Sequence, residues 1–448
     1  MRPSTSVYLK TGMKPLLRRR DRTLQNPQHG SELWDAIVCG AGAAGLVSAG
    51  RAGERGLRIL ILEKTDIAGS KIRISGNGRC NLSNAAPRHD FIEAFGQNGH
   101  FLYSVFHRFF RDELLGLLGS LGVRAKTEPD GRIFPRSDNA ADVANALMRY
   151  ATQGGCEIHY HEPAQDIVLK GSSGHREICG VRTPRGLYRA SAVIMATGGR
   201  SYSSLGTTGD GYEILRRCGH TITPLHPALA AFVSDAPRCR ALEGLSLPDV
   251  ILSLRGDGGQ DLFYERGEIV FTSSGISGPA ALNLSRHAAG RIETMQRPEL
   301  ALDLIPGVSA DEMEERINEA CAKSPRRHII SYLKEFLPSR LAVDIFTAGG
   351  GPDAAKKLGA LSSAERRTLA RRLKAHLFPC RGIRGFSHAM TTRGGVPQEE
   401  IDPRTMESRL VAGLYITGEL LDMDGPTGGY NLQAAFSTGW LAGDSIPA

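Results

Sequence analysis

The sequence predicts an α/β protein organised around a Rossmann-like nucleotide-binding unit. Residues 36–39 form an apolar run with the length of a buried parallel strand, and residues 40–45 satisfy the pattern G-x-G-x-x-G. A stretch of small residues typical of a helix follows, and a second apolar run at residues 58–62 leads into Glu63. Strand, glycine loop, helix, strand and acid in this order predict a dinucleotide site.

Each glycine of this loop has its own physical role. Gly40 permits a tight turn, Gly42 lets the backbone approach a pyrophosphate, and Gly45 lets the helix lie close to the sheet. The helix that follows offers unpaired N–H groups and the positive end of its dipole to phosphate groups. Glu63 comes 23 residues after Gly40, where its carboxylate can accept hydrogen bonds from a ribose.

Length and charge describe a protein of several domains with a nearly neutral folded part. The chain has 448 residues, which predicts two or three domains, and 41% of them are hydrophobic. Residues 1–30 contain seven basic residues and one acidic residue, so they account for +6 of the formal net charge of +8 and leave +2 for the remaining chain. The high isoelectric point therefore does not by itself indicate a nucleic-acid partner, and we expect none.

Residues 1–33 are polar, basic and without periodicity. They predict a disordered leader, although an upstream misassigned start codon and an Arg-rich transit peptide remain open alternatives. No apolar run reaches the length of a membrane span. The eight cysteines include no C-x-x-C pair, so neither a zinc site nor a disulfide framework is indicated. A cytoplasmic protein without membrane contact or bound metal is the simplest expectation, and the oligomeric state stays open.

A second glycine loop carries a family resemblance. Residues 69–81 give the pattern G-x-K-x-x-x-S-G-x-G-R-C-N, in which Lys71, Arg73 and Arg79 supply positive charge suited to a diphosphate. This block resembles the BaiN-like and aminoacetone-oxidase flavoproteins, a family of NAD(P)/FAD-dependent oxidoreductases. The resemblance extends over residues 34–448 through five blocks, at residues 69–84, 131–137, 192–222, 267–280 and 414–436. One departure is Thr272-Ser273, where the family usually has Thr-His, and it puts the identity of the substrate in doubt.

The resemblance implies a discontinuous Rossmann-like FAD-binding domain, interrupted by a β-barrel-like domain that itself carries a helical domain. Short alternating strands between about residues 226 and 306, followed by a charged helical stretch, agree with this division. Ser309 with Glu312 and Ser362 with Glu365 fit capping boxes within the helical part. The predicted boundaries are residues 1–33 for the leader, 34–222 and 395–448 for the FAD-binding domain, 223–307 and 378–394 for the β domain, and 308–377 for the helical insert.

The expected cofactor is FAD rather than FMN, because the glycine loop and Glu63 require a pyrophosphate and an adenosine ribose. Glu419 of the T-G-E block is expected to bind cofactor hydroxyl groups. The helix after Gly429 should face the flavin edge that gains negative charge on reduction. Cys80 is interpreted as a buried or flavin-contacting cysteine rather than a redox thiol. The predicted cofactor-binding residues are Gly40, Gly42, Ala43, Ala44, Gly45, Glu63, Lys64, Lys71, Ser75, Gly76, Arg79, Cys80, Asn81, Ala164, Ala196, Thr197, Gly198, Gly418, Glu419, Gly429, Tyr430, Asn431 and Leu432.

The predicted function is an FAD-dependent oxidoreductase whose flavin is reduced by NAD(P)H and passes hydride to a small organic substrate. No second G-x-G-x-x-G is present, so NAD(P)H would bind transiently. The helical insert is expected to lie across the flavin as a lid over a substrate pocket at the domain interface. Three alternatives remain open: an oxygen-dependent amine oxidase of the aminoacetone type, a tRNA-modifying flavoprotein, and a non-catalytic flavin-binding protein. No catalytic side chain is predicted.

Overall fold

The computed structural model describes residues 33–172, 175–347 and 355–448. The predicted leader therefore lies outside the described residues, except for Leu33 at the start of the first strand. The strands are β1 (Leu33–Cys39), β2 (Ile59–Leu62), β3 (Ser83–Asn84), β4 (Ala125–Thr127), β5 (Arg132–Pro135), β6 (Glu157–His159), β7 (Asp166–Ser172), β8 (His175–Thr183), β9 (Gly186–Met195), β10 (His226–Ala228), β11 (Phe232–Val233), β12 (Ser246–Arg255), β13 (Asp261–Thr272), β14 (Gly275–Ser277), β15 (Glu299–Asp303), β16 (His376–Pro379), β17 (Gly382–Ile383), β18 (Thr391–Arg393) and β19 (Leu414–Ile416).

Helices cover the first sheet and fill the interval between β15 and β16. The α-helices are α1 (Ala43–Glu54), α2 (Ser70–Ile74), α3 (Arg88–Glu93), α4 (Leu102–Arg108), α5 (Arg111–Ser120), α6 (Ala140–Gln153), α7 (Asp210–Arg217), α8 (Pro237–Ala241), α9 (Pro279–Ala288), α10 (Ala310–Lys323), α11 (Ile329–Leu333), α12 (Ser339–Thr347), α13 (Ser363–Lys374) and α14 (Tyr430–Ser445). Short 3-10 helices occupy Gly96–Phe101, Ser203–Leu205, Ile292–Thr294, Leu358–Ala360, Gln398–Glu400 and Gly418–Leu420.

The first sheet is built around β1, which pairs in parallel with β2 on one side and β9 on the other. Both β1 and β2 are mostly buried, as strands covered on both faces must be. Cys39 lies beside Leu62 of β2 and beside Met195 of β9, so the three strands end at one level. The loops that begin with Gly40 and Glu63 therefore meet at the same carboxyl edge, where ligands of open α/β sheets bind.

The C-terminal segment returns to this sheet. Pro184, Arg185 and Gly186 predict the turn of a hairpin. This is confirmed, because the first half of β9 pairs with β8 across that turn. The last three residues of β9 pair in parallel with β19. The sheet order is β6-β2-β1-β9-β8-β7, with β19 also beside β9. Because β19 enters the sheet next to β9, the following helix, α14, packs directly against α1.

The second large sheet is antiparallel, with the order β16-β15-β12-β13-β14-β11-β17. Its two edge strands, β16 and β17, are separated in the chain by Cys380 and Arg381 alone. The sheet must therefore curl until its edges come together, as the predicted barrel-like form requires. Helices α10 to α13 lie between β15 and β16 in the chain and share one hydrophobic core with this sheet.

Two hydrophobic cores divide the described residues. One contains residues from 34–218 and 396–446, and the other contains residues from 232–380. The two chain segments that run between them pair as β10 and β18, with His226 opposite Arg393. This arrangement is consistent with the predicted inserted domain, although the boundaries proposed from the sequence stay predictions.

Local structure differs from the sequence-based predictions at three places. The apolar positions of residues 100–122 predict a single helix. This prediction is wrong, because Phe109 adopts an extended conformation with φ −151° and separates α4 from α5. Asp138 precedes the next helical stretch, and its residue type predicts an N-cap there. It does not cap α6: its carboxylate binds Arg79 and Lys126, and Asn139 accepts the hydrogen bond from the Ala141 N–H instead. The sequence predicts a third strand of the first sheet over residues 157–160, and the corresponding strand, β6, ends at His159. Both predicted capping boxes of the helical insert are confirmed.

Close packing of α1 against α14 yields a stability prediction. A Cβ atom added to Gly439 would lie 2.3 Å from the Ala44 carbonyl oxygen, so the Gly439→Ala variant requires a backbone shift. We expect it to lower the free energy of unfolding by about 1–3 kcal/mol in urea titrations. Gly116→Ala in α5, where a Cβ atom meets nothing within 4 Å, is the matched control and should raise stability by about 0.5–1 kcal/mol. Equal losses in both variants would contradict this account of the helix contact.

Candidate functional site

A cavity of about 780 Å³ opens at the carboxyl edge of β1, β2 and β9. The first glycine loop lies at its base. Gly40 has φ +104°, and a Cβ atom there would lie 2.6 Å from the Ala196 carbonyl oxygen. A Cβ atom on Gly45 would lie 1.9 Å from the Gly40 oxygen, whereas one on Gly42 would meet nothing within 4 Å. The loop thus packs tightly on the protein side and leaves open space at Gly42, as the approach of a diphosphate requires.

The N-terminus of α1 faces this open space, and no acidic side chain of the helix occupies it. Gly42 is the N-cap, no side chain caps the helix, and no acidic residue lies in its first turn. The unpaired N–H groups and the positive end of the helix dipole are therefore available to a bound phosphate.

The carboxylate of Glu63 is fixed at the end of β2. Its Oε2 accepts a hydrogen bond of 2.8 Å from the Ala41 N–H, and its Oε1 accepts bonds of 2.8 Å from the N–H and hydroxyl of Thr65. These bonds hold the side chain against the glycine loop, and Glu63 lines the cavity. A carboxylate held in this way retains acceptor capacity for the hydroxyl groups of a ribose.

Glu419 lies at the centre of a network that joins four parts of the chain. Its Oε2 lies 2.5 Å from Lys71 Nζ, and its Oε1 accepts hydrogen bonds of 2.8 Å from the Ser201 hydroxyl and the Thr392 N–H. The Lys71–Glu419 ion pair is only partly exposed to solvent, so its attraction also stabilises the loops around the cavity. Binding of cofactor hydroxyl groups by Glu419 stays a prediction.

The cations of the second glycine loop already have protein partners. Arg79 pairs with Glu128 and Asp138, and its guanidinium lies 3.9 Å from the centre of the Phe134 ring. Arg73 donates to Asn145 and does not line the cavity. A diphosphate would therefore depend more on backbone N–H groups than on free cations of this loop.

The N-terminus of α14 forms the opposite end of the cavity. Its N-cap, Gly429, has φ +96°, and a Cβ atom there would lie 2.3 Å from the Ser83 carbonyl oxygen. Asn431 exchanges two hydrogen bonds of 2.8 Å with the backbone of Gly425, which fixes the glycine loop before the helix. Asn431 and Leu432 line the cavity, so the positive end of this helix also faces it.

The outer wall of the cavity comes from the second large sheet and α9. The sequence does not identify the residues of this wall as site residues, although most of them lie in the family block at residues 267–280. The lining residues from this wall are Glu268, Val270, Thr272, Ser277, Gly278, Pro279 and Leu282. None of the described residues of 308–377 lines the cavity, so the prediction that the helical insert covers the site is wrong. Its helices instead bury their apolar faces in the core of the second sheet.

Helix α9 connects this wall to the loop before α14. Arg286 and Asp424 form a buried ion pair, with 2.8 Å between Nε and Oδ2, and Arg286 also donates to the Asp424 carbonyl at 2.6 Å. One turn earlier, Asn283 Oδ1 accepts a bond of 2.9 Å from the Thr427 N–H. Because α9 holds the loop at two points, the two walls of the cavity have a fixed relative position.

Most predicted cofactor residues lie together. Gly45, Cys80 and Tyr430 are the three that do not line the cavity. Gly45 packs beneath the loop, the Tyr430 ring packs against Phe91 in a tilted arrangement at a centroid distance of 4.3 Å, and Cys80 is fully buried. Burial raises the pKa of the Cys80 thiol to about 12, which favours the packing interpretation over a reactive thiol. The predicted residues that line the cavity are Gly40, Gly42, Ala43, Ala44, Glu63, Lys64, Lys71, Ser75, Gly76, Arg79, Asn81, Ala164, Ala196, Thr197, Gly198, Gly418, Glu419, Gly429, Asn431 and Leu432.

Comparison with known proteins identifies this architecture. The family model described as the HI0933-like protein Rossmann domain matches residues 34–445. The chain belongs to the HI0933-like family. It is 33% identical over 412 residues to the 3-dehydro-bile acid delta(4,6)-reductase of Clostridium scindens, covering 91% of this chain and 97% of that protein. It is 30% identical over 424 residues to the ribosomal RNA dihydrouridine synthase of Escherichia coli, covering 93% of this chain and 99% of that protein.

Solved structures agree with the fold. The 3-ketosteroid delta1-dehydrogenase of Sterolibacterium denitrificans aligns with a TM-score of 0.53 at 13% identity, over 92% of this chain and 99% of that chain. The 3-ketosteroid-delta4-(5alpha)-dehydrogenase of Rhodococcus jostii aligns with a TM-score of 0.50 at 15% identity, over 96% of this chain and 99% of that chain. These likenesses support the Rossmann-like FAD-binding domain and the mixed α/β sheets.

The HI0933-like protein is therefore an FAD-dependent oxidoreductase, as predicted. The residues present fit FAD, because Gly42 leaves space for a diphosphate and two helix N-termini face the same cavity as Glu63. The expectation of no nucleic-acid partner is left open by the relative named as a ribosomal RNA enzyme. No helix in the described ranges has the length and apolar character needed to cross a bilayer.

The contacts of Glu63 give a binding prediction. Glu63→Ala should weaken FAD binding roughly tenfold or more, because charge-assisted hydrogen bonds contribute about 1.5–3 kcal/mol. Titration of the apoprotein with FAD, followed by flavin fluorescence, measures the change. Glu315→Ala, on the exposed face of α10, is the control and should leave affinity unchanged. Similar losses in both variants would show general destabilisation instead of a ribose contact.

Proposed function

We propose that this HI0933-like protein is a reductase that takes hydride from NAD(P)H and delivers it to a carbon–carbon double bond conjugated to a carbonyl group. The substrate would be a small organic molecule bound between the FAD-binding domain and the second large sheet. A single observation carries this proposal. The cavity is continuous from the first glycine loop to α9 and β13, so it offers space beyond the cofactor phosphates.

When bound, FAD supplies the hydride carrier for this reaction. The protein's own residues bind and orient it. Glu63 and the N-terminus of α1 would hold the adenosine ribose and the diphosphate. The N-terminus of α14 would stabilise negative charge that accompanies reduction, because its N–H groups and dipole face the cavity.

The outer wall supplies the substrate space. Val270, Pro279 and Leu282 are apolar groups that would exclude water from a planar substrate. The Arg286–Asp424 ion pair would keep this wall in register with the loop before α14. Side chains thus have positioning roles. The hydride would add to the β carbon, and the proton that completes the saturation would reach the α carbon from solvent, since no acid in the cavity is assigned to it.

The names of the relatives favour reduction of a double bond. A delta(4,6)-reductase acting on a 3-dehydro-bile acid and a synthase that forms dihydrouridine both saturate a carbon–carbon bond next to a carbonyl group. The two proteins have about the same identity to this chain and span nearly its whole length. We therefore extend their shared chemistry, and not either substrate, to this protein.

A second candidate function is reduction of a uridine in RNA. It is favoured because the dihydrouridine synthases of Escherichia coli and Haemophilus influenzae both match 93% of this chain at 30% identity. The nearly neutral charge of residues 31–448 opposes extensive RNA contact but does not oppose a local one.

NAD(P)H would bind at the outer wall, reduce the flavin and dissociate, and the substrate would then bind at the same place. A second G-x-G-x-x-G pattern is absent from the sequence, so a separate high-affinity nicotinamide domain is not supported. Sharing one face gives a ping-pong order, in which donor and substrate compete for the same space.

An anaerobic two-step experiment tests the proposal. NADPH or NADH should bleach the flavin of the holoprotein. Addition of 4-androstene-3,17-dione or uridine should then reoxidise the bound flavin and restore its colour faster than the same compound reoxidises free reduced FAD. Leu282→Trp should retain FAD but slow this reoxidation at least tenfold, because it fills the outer part of the cavity. Leu262→Trp, on the exposed face of β13, is the control.

Other outcomes distinguish the alternatives. Bleaching by simple amines alone, followed by rapid peroxide release in air, would replace the reductase with an amine oxidase. A flavin that no donor reduces faster than free FAD would indicate a non-catalytic flavin-binding protein. Normal reoxidation of Leu282→Trp would place the substrate elsewhere.

A further inference from the structure

A second cavity, of about 420 Å³, is lined by residues of α6 and of the segments that flank β4 and β5. Helix α2 connects this cavity to the FAD cavity. Ile72 and Ile74 line the first cavity, and Arg73 between them donates a hydrogen bond of 2.7 Å to Asn145, which lines the second. The two cavities therefore share the support of one short helix.

Three arginine side chains, Arg124, Arg136 and Arg149, line the second cavity and are exposed. Arg136 Nε donates to the Ala125 carbonyl at 3.3 Å, and Arg149 Nη2 donates to the Leu121 carbonyl at 3.1 Å. Among the described residues, none of the three has a carboxylate within ion-pair distance. Most of their N–H groups are thus available to a ligand.

The neighbouring cations show that this lack of partners is local. Arg79 and Lys126 both pair with Asp138, and Arg132 pairs with Asp130. The acidic residues around β4 and β5 therefore neutralise cations outside the second cavity. Arg124, Arg136 and Arg149 take part in none of these pairs.

The other polar groups of the cavity are mainly donors. Asn145 Oδ1 is occupied by Arg73, which leaves its Nδ2 group, and Ser137 adds a hydroxyl group. Asp142 is the single acid of the lining, and its Oδ1 accepts a bond of 3.3 Å from Asn139. Three guanidinium groups against one carboxylate select an anion, and planar guanidinium groups match phosphate oxygens in particular.

Strand β5 relates this charge to the reaction site. Arg132 and Phe134 of β5 line the FAD cavity, and Arg136, the first residue after β5, lines the second cavity. Phe134 and Arg136 are two residues apart, about 7 Å at the usual rise of a strand. A polymer with one base in the first cavity would carry its flanking phosphate groups past Arg136.

We propose that the second cavity binds backbone phosphates of single-stranded RNA beside the uridine to be reduced. This inference rests on the second candidate function. RNA is favoured over a free phosphate because the cavity presents three guanidinium groups in a volume larger than one phosphate fills, and phosphate contacts fix register on a nucleic acid.

Binding of a fluorescein-labelled 15-nucleotide uridine RNA to the holoprotein, measured by anisotropy between 50 and 200 mM KCl, tests it. The variant Arg124→Gln/Arg136→Gln/Arg149→Gln should bind at least tenfold more weakly. Its plot of log affinity against log salt should be shallower by about 2, since each single-strand phosphate contact contributes about 0.7. For Arg136→Gln alone, the slope of log affinity against log salt should be shallower by about 0.7. This single variant keeps the test valid if the triple variant misfolds.

The control removes the same charge from exposed positions of the helical insert, in Arg326→Gln/Arg367→Gln/Arg371→Gln. Equal losses in both triple variants, or no RNA binding by the wild type, would overturn the inference. A third outcome would also overturn it: inorganic phosphate or pyrophosphate binds at millimolar concentration through these arginines, while RNA binding does not depend on them. RNA binding requires no turnover, so failure of double-bond reduction and failure of this inference give different results.

Discussion

The structure depends on close backbone packing at the carboxyl edge of the first sheet. Gly45 allows α1 to begin almost in contact with the turn at Gly40, and Gly439 allows α14 to lie against α1. Side chains at either contact would separate the helices from the sheet. Because both helices approach so closely, their N-termini face one cavity, and two partial positive charges are available without any lysine or arginine.

The charged side chains around the FAD cavity are mostly engaged in ion pairs with other protein groups. Lys71 and Glu419 neutralise each other while joining α2 to the turn after β19, and Arg79 is held by acids outside the cavity. The ion pairs engage the charges of Lys71 and Arg79 within the protein, whereas no side chain caps the N-terminus of α1 or α14, so their N–H groups are available to a ligand. The FAD cavity is therefore organised by helix ends, and the uncompensated arginine groups occur in the second cavity.

The second sheet closes the cavity because of where the chain crosses between the two cores. The β10–β18 pair brings both crossing segments together, and α9 then reaches the loop before α14 through Asn283 and Arg286. The direction of the helical insert is set by that sheet, because the apolar faces of its helices are buried in the core of the sheet and none of its described residues lines the cavity. Its chain position between two strands of an inserted domain did not reveal this direction.

Local sequence determined the β1–α1–β2 unit, its glycine loop, the capping boxes and the family, because these features depend on residues close together in the chain. It also identified most of the cavity-lining cofactor residues. Tertiary structure alone decided that α9 and β13 form the outer wall, since their contacts join residues more than 100 positions apart. It likewise decided that Cys80 and Tyr430 face the core, and that Arg124, Arg136 and Arg149 share a cavity. Such groupings depend on how separate elements pack against one another, and this packing cannot be predicted from the periodicity or spacing of residues in the sequence.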